Sequence, residues 1–129
     1  MTNEQKTILI VEDDQFLLEI LHDVFFKEGF NVLLAHNGEE GLKAAEGQAA
    51  DIILIDILMP KMDGITMLQK IRETEQGKNI PVIVLTNLND NDTINKALES
   101  GAYDFLVKSD WEPKDLVLRV KEKLGIKTI

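Results

Sequence analysis

The sequence contains no cysteine. That removes disulfides, thiolate nucleophiles and cysteine-ligated metals from consideration, and it fits a cytoplasmic protein. Long hydrophobic runs are missing too. None approaches the roughly 20 residues that span a bilayer, and Met1 to Lys6 are polar with no signal-peptide core, so no membrane insertion is expected. Positive charge is scarce, with 14 Lys and Arg against 23 Asp and Glu and a net charge of −9. An acidic surface repels phosphate backbones, which argues against nucleic acid as a direct partner. There are two histidines, His22 in the middle of a helical pattern and His36 after an apolar run, and neither placement suggests catalysis. No repeat, low-complexity tract or linker divides the 129 residues, a length that suits one compact domain. Residues 1–129 are therefore read as a single domain with its core over about 7–124.

Apolar residues are plentiful, at 44%, and they are organised. Five short runs stand out: Thr7–Val11, Asn31–Ala35, Ile52–Ile55, Pro81–Leu85 and Tyr103–Val107. Near-continuous apolarity over about five residues predicts strands buried on both faces, as in a parallel sheet. Amphipathic stretches lie between the runs. The first carries Phe16, Leu17, Ile20, Leu21 and Val24 at helical spacing and stops before Gly29. The second covers about Glu39 to Glu46, with Leu42 and Ala45 facing in. The third carries Ile65, Leu68 and Ile71, and the fourth Ile94, Ala97 and Leu98 before Gly101. The fifth begins near Pro113, a residue suited to a first helical turn, and ends at Gly125. Trp111 is expected to pack the start of that helix. Five strand–helix units predict an α/β fold with helices on both faces of a parallel sheet. Ligands of such sheets bind outside the carboxyl ends of the strands.

Those ends carry the reactive groups. The first run ends in Glu12-Asp13-Asp14, the third in Asp56, the fourth in Thr86 and the fifth in Lys108. The second ends in His36-Asn37, to which no role is given. Asp14 reads as a helix cap. Each remaining residue has an ordinary structural reading when taken alone, but all of them at strand ends in this order form a site. Clustered carboxylates disfavour one another's ionisation, and a hard divalent cation relieves the conflict. Mg²⁺ takes oxygen ligands and tolerates one or two carboxylates plus a phosphate. Asp56 is then a nucleophile for phosphoryl transfer, with Thr86 and Lys108 available to phosphoryl oxygens. Without metal, the Lys108 ammonium is expected to pair with Asp56. The Pro60- and Gly64-bounded loop after Asp56 turns into the third helix, within reach of which the Leu58 carbonyl could meet the metal.

With these residues in place, the chain resembles the receiver family of bacterial two-component response regulators, including the chemotaxis-regulator type. The matching motifs are Ile-Leu-Ile-Val-Glu12-Asp13-Asp14, Asp56-Ile-Leu-Met-Pro60-Lys-Met-Asp63-Gly64, Val-Leu-Thr86, Gly101-Ala102 and Phe105-Leu-Val-Lys108. The resemblance implies a flavodoxin-like doubly wound (βα)5 fold with strand order 2-1-3-4-5. It implies Mg²⁺ at Glu12, Asp13, Asp56 and the Leu58 carbonyl, and Asp56 as phosphoacceptor. Thr86 and Lys108 then bind the phosphoryl group, and Phe105 is the switch aromatic. The implied partners are a sensor histidine kinase or phosphotransfer protein and a downstream protein target, reached through the face of the fourth helix, fifth strand and fifth helix. A monomer or a phosphorylation-dependent dimer is expected. Such a domain is not an enzyme in the ordinary sense, since it catalyses only its own phosphorylation and dephosphorylation. The sequence given ends just past the fifth helix, which leaves two expectations open: a single-domain regulator acting by protein contact, the one favoured, or a piece of a longer protein.

Four positions depart from the family pattern. Ser109 follows Lys108 where Pro with a cis bond is common; a Lys-Ser bond should be trans, since the cis form costs about 2.5–4 kcal/mol. Asn87 follows Thr86 where a small residue is frequent, and its bulk is expected to restrict access or alter the switch. Leu58 and Leu88 are apolar where a polar group could orient water, which predicts a long-lived acyl phosphate. A phosphatase of the haloacid dehalogenase type would need an Asp at position 58, and a flavodoxin-like cofactor carrier would find Glu12-Asp13-Asp14 repelling its phosphate. The serious alternative is a pseudo-receiver, a module that binds partners without phosphorylation. Only Ser109 and Asn87 favour it.

Overall fold

The structure is a computed structural model and describes residues 5–127. Five strands form one parallel sheet: β1 (Thr7–Val11), β2 (Asn31–Ala35), β3 (Ile52–Ile55), β4 (Val82–Thr86) and β5 (Asp104–Val107). Their order is β2-β1-β3-β4-β5. The helices are α1 (Gln15–Lys27), α2 (Gly38–Gly47), α3 (Gly64–Arg72), α4 (Asn91–Glu99) and α5 (Pro113–Leu124). The flavodoxin-like arrangement of five parallel strands and five helices is thus present, with β1 and β3 meeting at the switch point.

Successive strand residues point to opposite faces, and the core divides accordingly. Ile8, Ile10, Ile52, Leu54, Ile83 and Leu85 pack with Leu18, Leu21 and Phe25 of α1 and Leu116, Val117 and Val120 of α5. Leu9, Val11, Ile53, Ile55, Val82 and Val84 pack with Ala45 of α2, Met67, Leu68 and Ile71 of α3, and Ala97 of α4. β1, β3 and β4 are covered on both sides, which is why they read as unbroken apolar runs. Full burial was predicted for β2 as well, but Leu34 is 37% exposed. An edge strand has one neighbour and incomplete cover. In α4 only Ala97 is buried, and Leu98 lies on the exposed side of the helix. Strand bounds shift by one residue at Pro81 and Tyr103, and Thr86 belongs to β4 itself.

Local chemistry sets the helix ends. The Asp14 carboxylate accepts from the Phe16 and Leu17 amides and starts α1. Gly29 follows with φ +91°, a left-handed position that costs glycine nothing. Gly101 has φ +101°, and a Cβ there would lie 2.7 Å from Arg72 Nε, which accounts for the glycine of the Gly101-Ala102 motif. The Arg72 guanidinium donates to the carbonyls of Gly77 and Gly101 at 2.6 and 2.7 Å, tying the end of α3 to the turn before β5. Trp111 packs against the α1–α5 core, and the Arg119 guanidinium lies 5.3 Å from its ring.

Candidate functional site

The carboxyl ends of β1, β3, β4 and β5 converge at one edge of the sheet. Glu12 directly follows β1 and is buried, at 3% exposure. Its Oε2 accepts from the Asp14 amide at 3.0 Å. Asp56 directly follows β3 and is 6% exposed, and its Oδ1 accepts from the Ile57 amide at 2.7 Å. Lys108 follows β5 as the first residue of a short 3-10 turn, Lys108–Asp110. Its Nζ donates to Asp56 Oδ2 and lies against Glu12 Oε1, both at 2.7 Å. The pairing with Asp56 was predicted; the second pairing, with Glu12, was not.

Burial pushes the Glu12 carboxyl above its ordinary range, and the Asp56 charge adds to this, against the lowering effect of Lys108 and the Asp14 amide. Burial alone would lower Lys108, but the hydrogen bonds and charges of Asp56 and Glu12 outweigh it and hold the ammonium above its ordinary value. Lys108 is therefore a fixed cation at neutral pH. It is one cation facing three acids. Glu12, Asp13 and Asp56 each present a carboxylate oxygen, all within 4.8 Å of one another. Asp13 is solvent-exposed, leaving the cluster open on one side. A compact, anionic, all-oxygen donor set suits a hard cation such as Mg²⁺.

Thr86 ends β4 and is 1% exposed. Its Oγ1 accepts from the Leu88 amide at 3.3 Å, and a hydroxyl that accepts there still has a proton to donate. By strand alternation Thr86 shares the α4 side of the sheet with Val82 and Val84. Phe105 is half-buried on that same side and pairs in register with Val84, while Thr86 pairs with Val107. The Leu58 side chain is 62% exposed and Leu88 is partly buried. No cis peptide bond occurs among the described residues, so Lys108–Ser109 is trans as predicted. The Ser109 amide donates to Asn87 Oδ1 at 3.2 Å.

Two neighbours of the site escape sequence reasoning. Asn37 is buried, and its Oδ1 accepts from the Glu40 amide at 2.9 Å, capping α2. His36 places Nε2 3.0 Å from Gln15 Oε1 and Nδ1 2.9 Å from Glu40 Oε1, linking the starts of α1 and α2. An Asn three residues before a Glu was the available signal for the cap. His22 pairs with Asp23 and stacks on Phe26, away from the site.

Residues 8–121 match the family model for the response regulator receiver domain. The transcriptional regulatory protein CpxR of Klebsiella pneumoniae is 40% identical over 114 residues, which are 88% of this chain and 47% of CpxR. The DNA-binding response regulator MtrA of Mycobacterium tuberculosis is 34% identical over 124 residues, 96% of this chain and 53% of MtrA. The chain thus spans about half the length of these curated relatives. Among solved structures, a CheY-like receiver domain protein from Methanospirillum hungatei superposes with TM-score 0.89 at 30% identity, covering 95% of both chains. The receiver domain of sensor histidine kinase PA1611 from Pseudomonas aeruginosa, with a magnesium ion coordinated in its active-site cleft, gives 0.85 at 28% identity, covering 95% of this chain and 99% of that one. The acid cluster, the lysine facing it, the 2-1-3-4-5 sheet and the family match together place this chain in the receiver domain family of two-component response regulators.

Proposed function

We propose that this chain is a phosphoacceptor receiver whose acceptor is Asp56 and whose phosphoryl donor is a phosphohistidine on a sensor kinase or phosphotransfer protein. The observation that carries the reading is the buried Asp56 carboxylate, held by Lys108 at 2.7 Å beside two further acids. Mg²⁺, held by Glu12, Asp13, Asp56 and the Leu58 carbonyl, would supply charge neutralisation for the entering phosphoryl group. An Asp56 carboxylate oxygen forms the new bond to phosphorus as the phosphorus–nitrogen bond of the donor breaks, and the electron pair leaves with the imidazole. Lys108 holds one phosphoryl oxygen by charge. Thr86 donates its hydroxyl to another. The domain acts on itself once per event and turns over no separate substrate. The acidic chain makes no direct nucleic-acid contact and inserts into no membrane, and 1–129 is one receiver domain.

Signalling then follows from position. Thr86 and Phe105 lie on the same side of neighbouring strands, so a Thr86 drawn to the phosphoryl group vacates space towards which Phe105 turns. The α4–β5–α5 face, where Leu98, Tyr103 and Leu118 are exposed, is the surface that responds and binds the target. A phosphoryl group adds about −1.5 to −2 charges, and it shifts the equilibrium only through a difference between the two states.

Intact mass after incubation with acetyl phosphate and Mg²⁺ tests the reading. Wild type gains one phosphoryl group, while Asp56→Asn and EDTA-treated wild type gain none. No gain in folded wild type would instead support a pseudo-receiver. Leu58 and Leu88 offer no polar group at those two positions to orient an attacking water, so the acyl phosphate is long-lived. Leu58→Asn, at an exposed position, should shorten its half-life about two- to tenfold, the scale of one added hydrogen bond. An unchanged half-life by phosphoprotein decay would remove Leu58 from that role.

A further inference from the structure

We propose that Asn87 is a positioning residue for Lys108, acting as a latch on the amide of Ser109. The proposal rests on the phosphoacceptor reading and names a control on that same site. Lys108 leads a 3-10 turn of only three residues, which has no side-chain cap at its start. The bond that closes the turn, from the Trp111 amide to the Lys108 carbonyl, is long at 3.4 Å. So short and loosely closed a turn does not fix its first residue by itself. The sheet ladder ends one residue earlier, at the Thr86–Val107 pair. Beyond that pair, a side chain continues what the backbone ladder leaves off. Asn87 Oδ1 accepts from the Ser109 amide at 3.2 Å.

The bond is placed where it can matter. Asn87 immediately follows Thr86 and Ser109 immediately follows Lys108, so the latch joins the two strand ends whose side chains serve the phosphoryl group. It holds the backbone on the far side of Lys108 while Asp56 and Glu12 hold the ammonium. Movement of Thr86 is transmitted to Lys108 through it. Acceptor chemistry at residue 87, rather than its bulk, then governs transfer.

Substitutions at this exposed position separate the two. Asn87→Leu keeps the size and removes the acceptor; Asn87→Asp keeps both; Asn87→Ala removes both. Two readouts on the full chain are needed. One is the rate of phosphorylation across an acetyl phosphate series with Mg²⁺. The other is the ¹⁵N signal of the Lys108 ammonium in metal-free protein, which requires no phosphorylation. Asn87→Leu and Asn87→Ala should each lower the maximal rate about three- to tenfold, with little change in the half-saturating concentration. Both should broaden the Lys108 signal, and Asn87→Asp should preserve it. Faster transfer in Asn87→Ala with wild-type behaviour in Asn87→Leu would overturn the latch and leave bulk as the only effect. An unchanged Lys108 signal in Asn87→Leu would overturn it as well. Wild type that takes no phosphoryl group would defeat the phosphoacceptor reading alone, and the Lys108 signal would still decide the latch.

Discussion

Lys108→Met is expected to destabilise the metal-free protein by about 2–4 kcal/mol at neutral pH, at the lower side of what breaking a buried ion pair costs. The figure is reduced because the Lys108 side chain is 19% exposed. Met keeps the apolar stem and removes only the charge, leaving Glu12 and Asp56 buried beside each other without a cation. The pH dependence has a defined sign. The Glu12 carboxyl already lies above its ordinary range because burial disfavours its charge. Over the window between its unfolded and folded values the native state therefore binds more protons, and stability falls as pH rises. Removing Lys108 deletes a lowering influence and moves the upper end of that window further up. The deficit should accordingly shrink as the pH is lowered through the mildly acidic range. It should also shrink on adding Mg²⁺, because the acids left without Lys108 bind the cation more tightly than in wild type and the stabilisation rises with the logarithm of that affinity. Phosphorylation by acetyl phosphate should drop about 100-fold, the scale for losing one preorganised electrostatic partner. Urea melts with EDTA at two pH values, repeated with Mg²⁺, check the stability claim. Equal stability of the variant and wild type at neutral pH would mean that the two ion pairs contribute nothing.

Gly64→Ala should be the most damaging single methyl group near the site. A Cβ at Gly64 would lie 2.1 Å from the carbonyl oxygen of Asp56 and 2.9 Å from its carbonyl carbon. Both neighbours are backbone atoms and cannot rotate aside. The Gly64 amide also donates to the Ile57 carbonyl at 2.9 Å, so the helix start is drawn tightly onto Asp56 and Ile57. Relief requires moving the β3–α3 loop or α3 itself, which should cost about 3 kcal/mol. Because the displaced backbone belongs to Asp56, Mg²⁺ affinity and phosphoryl uptake should fall with stability. Gly47→Ala is the matched control. That glycine is the last residue of α2 with nothing within 4 Å of an added Cβ, and Ala should be neutral or stabilise by a few tenths of a kcal/mol. Equal urea midpoints for Gly64→Ala and wild type would show that the loop yields freely.

Much of this was legible in the residues because burial and chemistry coincide with sequence position. β1, β3 and β4 are covered on both faces, so each reads as an unbroken apolar run whose end is easily located. The site then follows, since the residue after each run stands at the sheet edge. What escaped notice depends on neighbours in space. Leu34 reads like a core residue, but its exposure is decided by β2 standing at the edge. Leu98 has helical spacing, yet α4 meets the sheet mainly through Ala97. The Lys108–Glu12 pair joins residues 96 positions apart, and the Asn87–Ser109 bond depends on the β4–β5 register. Asn37 is ambiguous in the sequence, because a polar residue after a strand reads equally well as loop or cap.

Trp111 gives the molecule a built-in optical reporter. It is the only tryptophan in the chain, it sits three residues after Lys108, and a guanidinium lies 5.3 Å from its ring. Indole emission is sensitive to nearby charge and to solvent, and light absorbed by indole but not by Tyr103 confines the signal to the segment where β5 hands over to α5. Any rearrangement of that segment can be timed by stopped-flow fluorescence on the unlabelled protein, with no dye attached to the face that would receive a partner.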